Sequence, residues 1–150
     1  MNGTTEEIVG SKPIPSIDKL QEDIVEDFLS IGDPFSQYEY LIEFAASLPH
    51  LSEELKTEDN LVKGCQSRAW LVMEACNGNI SLKADSDTLI VRGILHLLIN
   101  VLDGQALCAV ANADLFFLEK ADLMVTFTAS RRSGIESIVK AIRQFAKEHV

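Results

Sequence analysis

The chain has 150 residues, of which 47% are hydrophobic and 24% charged, and these values are typical of one globular domain. Its 23 acidic residues outnumber 13 lysine and arginine residues, which gives a formal net charge of −10. A field of that sign repels phosphate backbones and anionic lipids. The composition therefore argues against binding to nucleic acid or to a membrane surface, and it favours a partner with a basic docking face.

Three cysteines, Cys65, Cys76 and Cys108, form an odd set without the dense spacing of a disulfide framework or a zinc site. The sequence opens without a signal-peptide pattern. Its longest apolar stretch, Leu89 to Leu102, is short and is interrupted by polar residues, so it does not read as a membrane span. These features predict a cytoplasmic protein with reduced thiols.

The first elements in chain order are an arm and two helices. Residues 1–17 contain four glycine or proline residues without periodicity, so we predict a flexible arm followed by one domain over 18–150. Apolar residues at helical spacing predict a helix that ends at Gly32. The pair Asp33-Pro34 predicts the start of a second helix, which ends before Pro49.

A β-hairpin is predicted at about 67–85. The apolar run from Ala69 to Ala75 reads as a strand, and Asn77-Gly78-Asn79 is a tight-turn signal. Apolar and polar residues then alternate through 80–85, which predicts a second, half-exposed strand.

The rest of the chain reads as helical. Asp85-Ser86-Asp87 is interpreted as the capping cluster of a long, mostly buried helix, and Asp114 as the start of a shorter one. Ser133 and Glu136 have capping-box spacing ahead of a C-terminal helix. The order of helices, hairpin and helices predicts an α+β fold of two layers, with a small antiparallel sheet packed against several helices.

Cys65 is the strongest candidate for chemistry. It lies between a polar stretch and an apolar run, a setting typical of a loop that leads into a strand. Gly64 allows a sharp bend and a close approach, and Lys63 and Arg68 favour the thiolate, which is the nucleophilic form. The alternative is a small buried hydrophobe, and the residues alone leave both interpretations open. Cys76 and Cys108 are predicted to be structural.

Other polar residues are ambiguous. Arg131-Arg132 is either part of a solvated loop or supplies a docking or anion-holding arginine near Cys65. Helix capping is the preferred role for at least one of Asp85 and Asp87. His96 is predicted to be a satisfied, partly buried histidine. The sequence has no glycine-rich nucleotide motif and no serine nucleophile elbow.

The run from Lys56 to Leu71, with its Gly-Cys-Gln-Ser-x-x-Trp signature, resembles the SufE family, which includes CsdE-like sulfur acceptors. The resemblance continues through Ala84–Asp87, Ile90–Gly93 and Ser130–Ile135, so it covers about residues 20–148. It implies a SufE/NifU-like two-layer domain.

The resemblance also implies a function. Cys65 would accept sulfur from the persulfide of a SufS-like cysteine desulfurase that carries pyridoxal phosphate, stimulate that enzyme, and pass the sulfur to a downstream iron–sulfur scaffold. Gly64, Gln66 and Ser67 would form the supporting loop, while Asp87 and Arg131 would dock a partner or anchor the loop. The chain would be a persulfide carrier of the sulfurtransferase type without a cofactor or metal of its own, and a homodimer is compatible with the sequence.

The alternative is an iron–sulfur scaffold of the IscU or NifU type, which resembles this fold. A scaffold needs about three converging ligands. The stretches Ala84 to Gly93 and Ser130 to Gly134, where such families place further cysteines, contain none. A purely structural adaptor, the third interpretation, would leave Cys65 dispensable.

Overall fold

The structure, a computed structural model, describes residues 14–123 and 127–150. Its helices are α1 (Ile17–Ile31), α2 (Pro34–Ser47), α3 (Leu89–Leu102), α4 (Leu107–Ala111), α5 (Phe117–Lys120) and α6 (Ala129–His149), and its strands are β1 (Ala69–Cys76) and β2 (Asn79–Ser86). Two single-turn 3-10 helices, Glu53–Leu55 and Glu58–Asn60, lie between α2 and β1. The predicted α+β fold is confirmed.

The predicted arm lies outside the described residues as far as residue 13. Its last residues belong to the folded domain, because Pro15 accepts a hydrogen bond from the Gln105 side chain through its carbonyl (2.9 Å) and Ile17 is buried. Among the helices within the described ranges, none is long and apolar enough to cross a bilayer.

The predicted helix boundaries around residue 32 are confirmed. Gly32 ends α1 in the left-handed conformation, with a φ of 88°. The Asp33 carboxylate then accepts a hydrogen bond from the backbone N–H of Ser36 (2.9 Å), and Pro34 occupies the first turn of α2. These local signals turn the chain so that α2 packs against α3.

The predicted hairpin is also confirmed. β1 and β2 are antiparallel, with Ala69 opposite Ser86 and Cys76 opposite Asn79. The turn residues Asn77 and Gly78 have φ values of 53° and 82°, the conformation that matches the right-handed twist of a hairpin. The core forms where α3 packs against β2 and α6 against β1, and its large, fully buried members include Phe28, Leu41, Ile80, Leu98, Phe117, Ile138 and Ile142.

Three predicted helix starts are wrong. Thr88 precedes α3, and the carboxylates of Asp85 and Asp87 are bound elsewhere, so neither caps the helix. α6 begins at Ala129, where the Thr128 hydroxyl accepts a hydrogen bond from the backbone N–H of Arg131 (3.2 Å), so the predicted capping box lies inside the helix. The segment after Asp114 becomes helical only at Phe117.

Candidate functional site

Cys65 lies in a short loop that closes on itself at the start of β1. The backbone N–H of Val62 donates to the carbonyl of Ala69 (2.8 Å), and Leu61 forms an antiparallel bridge with Trp70. Residues 63–68, called the Cys65 loop below, therefore project from a hydrogen-bonded base. This geometry confirms the predicted loop at the mouth of a strand.

The C-terminal side of the loop is bound to the end of β2. Asp87 accepts hydrogen bonds from the backbone N–H and the side-chain Nε of Arg68, each at 3.1 Å. The Ser86 hydroxyl donates to the carbonyl of Arg68 (2.7 Å), and the Thr88 hydroxyl donates to the side-chain hydroxyl oxygen of Ser67 (3.3 Å). The three consecutive residues Ser86, Asp87 and Thr88 thus hold this side of the loop in place.

The N-terminal side of the loop packs on α6 at two glycines. Gly64 has a φ of 87°, and a Cβ built on it would lie 2.9 Å from the hydroxyl oxygen of Ser137. A Cβ built on Gly134 would lie 2.8 Å from the sulfur of Cys65. The close approach predicted at Gly64 is therefore made by a helix of the same chain. The sequence reasoning missed Gly134, although a glycine inside an amphipathic helix signals a close packing contact.

A small cavity of about 40 Å³ lies beside the Cys65 thiol. Its lining comes from the loop, from α3 and from the start of α6, and consists of Cys65, Gln66, Ser67, Val91, Thr128, Ser130, Arg131 and Ile135. Four of the predicted site residues, Cys65, Gln66, Ser67 and Arg131, thus lie together. Gly64 and Asp87 hold the two sides of the same loop.

The environment of Cys65 favours the protonated thiol. Burial raises its pKa, and the negative charge of Asp87 acts in the same direction. The backbone N–H of Ser67 and the charge of Arg131 lower the pKa without cancelling the effect of burial. The prediction that Lys63 and Arg68 favour the thiolate of Cys65 is therefore wrong. Both cations are paired with carboxylates, Lys63 with Glu58 (3.3 Å) and Arg68 with Asp87.

Comparison with known proteins identifies the family. The sequence model of SufE, described as an iron–sulfur metabolism associated domain, matches residues 22–146. The chain belongs to the SufE family. An uncharacterized SufE-like protein of Rhizobium etli is 35% identical over 131 residues, which cover 84% of this chain and 88% of that protein. Membership in SufE implies a role in iron–sulfur metabolism as a sulfur acceptor.

The fold has a solved counterpart. The solution structure of a hypothetical protein from Thermus thermophilus superposes with a TM-score of 0.71 and 21% identity. The match covers 86% of this SufE chain and 94% of that chain. At this identity the likeness establishes a shared fold.

A buried ion cluster around Asp85 and Arg92, close to the Asp87 that binds the Cys65 loop, has a structural role. The Asp85 carboxylate accepts hydrogen bonds from the backbone N–H groups of Leu51 (3.0 Å) and Ser86 (2.8 Å) and is paired with Arg92. Burial would raise the pKa of Asp85, but these donors and the neighbouring His50 outweigh it and hold the pKa below its usual range. The cluster joins the segment after α2 to β2 and α3.

The remaining cysteines and His96 differ from expectation. Cys76 and Cys108 are exposed, so the core packing that would make them structural does not occur. His96 stacks on Phe44, and its buried Nδ1 has no hydrogen-bond partner among the described residues, so the predicted satisfied histidine is wrong. In the part of the chain that the structure describes, no group of three or more His, Cys, Asp or Glu residues could hold a metal ion.

Proposed function

We propose that this SufE protein takes sulfur onto Cys65 from the persulfide of a SufS-like cysteine desulfurase and delivers it to an iron–sulfur assembly scaffold. The observation that carries the proposal is the position of the Cys65 sulfur, over Gly134 and beside a cavity that opens at the N-terminal end of α6. In this proposal the pyridoxal phosphate belongs to the desulfurase, and the chain needs no cofactor or metal of its own.

The reaction is a thiol–persulfide exchange. The thiolate of Cys65 attacks the terminal sulfur of the desulfurase persulfide, a new S–S bond forms at Cys65, and the desulfurase cysteine leaves as a thiolate. Atoms and electrons balance without an added oxidant or reductant. Removal of the persulfide completes the cycle of the desulfurase, so the same step is expected to stimulate that enzyme.

The cavity suits the added sulfur atom. Its volume of about 40 Å³ exceeds the roughly 10–15 Å³ that one water-sized group requires. Val91 and Ile135 supply apolar walls that would shelter the persulfide from water-borne reagents. Arg131 and the positive end of the α6 dipole would favour a negatively charged terminal sulfur.

Attack on a bulky partner requires Cys65 to leave this cavity. The two sides of the loop are held differently, since Ser67 and Arg68 are hydrogen bonded to the segment 86–88, while the contacts of Gly64 and Cys65 with α6 are packing contacts. The loop would therefore open from its N-terminal side, with Asp87 as the anchor. Hydrogen exchange in 60–68 as slow as in the core strands, with and without desulfurase, would contradict this motion.

The proposal is tested by loading the protein enzymatically. The chain is incubated with a SufS-like desulfurase and free cysteine, and the adduct is located by intact-mass measurement and peptide mapping. We expect the mass of one sulfur atom at Cys65, absent in Cys65→Ser and retained in Cys76→Ser and Cys108→Ser, the two controls with exposed thiols. No adduct, together with visible absorbance after reconstitution with iron and sulfide, would favour the scaffold alternative.

A further inference from the structure

Helix α6 carries an excess of positive charge in a chain that is acidic overall. Five of the 13 lysine and arginine residues lie on α6, together with two acidic residues. Helix α1 has the opposite balance, with five acidic residues and one lysine. Because the charges are segregated in this way, the net charge of −10 does not describe the surface beside Cys65.

A groove of about 320 Å³, called the α6 groove below, runs between α6 and the segment that contains α5. Leu115, Leu118, Ile135 and Val139 give it an apolar floor. Ile135 also lines the cavity at Cys65, so the groove begins directly beside the candidate site. A chain segment lying in the groove would extend alongside the Cys65 loop.

Three cations border the α6 groove. Lys140, Arg143 and Lys147 follow one another at spacings of three and four residues, so they lie on one side of the helix. Glu119 and Glu136 also line the groove, yet none of the three cations forms an ion pair within residues 14–123 and 127–150.

The guanidinium of Arg143 has an unmet hydrogen bond. Its Nε is buried and has no acceptor among the described residues. A buried donor without an acceptor is unfavourable, and a charged acceptor forms the strongest bond with a guanidinium. A carboxylate entering the groove would pair with the same guanidinium, since Arg143 lines the groove.

We propose that the α6 groove binds an acidic, partly apolar segment of the cysteine desulfurase while that enzyme presents its persulfide to Cys65. The inference rests on the proposed function, since the desulfurase is the partner that must approach Cys65 first. Carboxylates of the segment pair with Lys140, Arg143 and Lys147, and its apolar side chains cover the floor of the groove. The net charge of the chain predicts a partner with a basic docking face, whereas the α6 groove requires an acidic one.

The test compares two double variants that remove the same number of positive charges. Arg143→Gln/Lys147→Gln alters the groove, and Lys19→Gln/Lys83→Gln removes two exposed lysines elsewhere. The readout is the concentration of each protein that gives half-maximal stimulation of the desulfurase. We expect a rise of about tenfold for the groove variant, a smaller dependence on salt, and little change for the control. Lys140→Gln/Lys147→Gln, in which both residues are exposed, repeats the test without touching Arg143.

Loading of Cys65 from inorganic polysulfide, which needs no desulfurase, distinguishes failure of the proposed sulfur transfer from failure of the proposed docking in the α6 groove. If the desulfurase does not load the wild-type chain although polysulfide does, the proposed function itself fails. If it loads the wild type and both groove variants match the control, only the docking inference is overturned. Normal loading by the desulfurase combined with slow delivery to the scaffold would assign the groove to the downstream acceptor, and that result would also overturn the inference.

Discussion

Gly134→Ala tests whether the closed loop depends on the contact between α6 and Cys65. The added Cβ would lie 2.8 Å from the Cys65 sulfur, while the favourable separation of such atoms is about 3.5–4.0 Å. The sulfur must therefore move by roughly 1 Å. Because the loop is far easier to displace than a helix of 21 residues, we expect Cys65 to leave its cavity while α6 stays intact.

The size of the effect follows from two opposing terms. Overpacking of this kind costs about 1–3 kcal/mol and acts on the closed loop. Alanine is more favourable than glycine inside a helix by about 1 kcal/mol, and this gain stabilises α6 equally whether the loop is closed or open. The thermal midpoint should therefore not fall, while the open loop becomes more populated by about tenfold, since about 1.4 kcal/mol corresponds to that factor.

Alkylation with iodoacetamide measures this change directly. We expect Cys65 to react about tenfold faster in Gly134→Ala, and its pKa to fall towards the ordinary value because burial, the largest cause of the raised pKa, is removed. The exposed Cys76 and Cys108 are internal references in the peptide map, and Ser133→Ala, at the neighbouring exposed position of the same helix, is the control variant. An unchanged or slower reaction at Cys65 would refute the reasoning.

Three further predictions concern charge and backbone conformation. Arg131→Gln should raise the pKa of Cys65 and Asp87→Asn should lower it, so a shift of both alkylation–pH profiles in one direction would contradict the electrostatic account. Asp85→Asn should lower the free energy of unfolding by about 3 kcal/mol at neutral pH. Because the folded-state pKa of Asp85 is depressed, this difference should shrink as pH falls below about 4, and a difference independent of pH in denaturant titrations would be the contrary result. Gly64→Ala should speed hydrogen exchange in 63–67 by about tenfold, because its positive φ strains any other residue by about 1–3 kcal/mol, and unchanged exchange would count against this.

The elements that sequence predicts well are those fixed by neighbouring residues. The Asn77-Gly78 turn, the Gly32 end of α1 and the Asp33 cap each depend on contacts within a few positions. Local patterns also placed Cys65 on a loop, because a polar stretch ends there and an apolar strand begins.

Contacts between distant residues account for the errors. Asp85 has the local appearance of a cap, but Arg92 and the backbone of Leu51 bind its carboxylate in the folded chain. The predicted start of α6 is wrong because the first turn of this helix is polar, so the apolar periodicity begins only at Ile135. The charge of Arg68 cannot be judged without Asp87, which lies 19 positions away.

The most direct test of the account is a single transfer of labelled sulfur. A desulfurase charged with a persulfide from cysteine containing a heavy sulfur isotope, and freed of excess cysteine, is mixed with an equal amount of the chain. We predict that the label leaves the desulfurase and appears as one heavy sulfur atom on Cys65. Label that remains on the desulfurase, or that reaches Cys76 or Cys108 while Cys65 stays unmodified, would contradict the central claim.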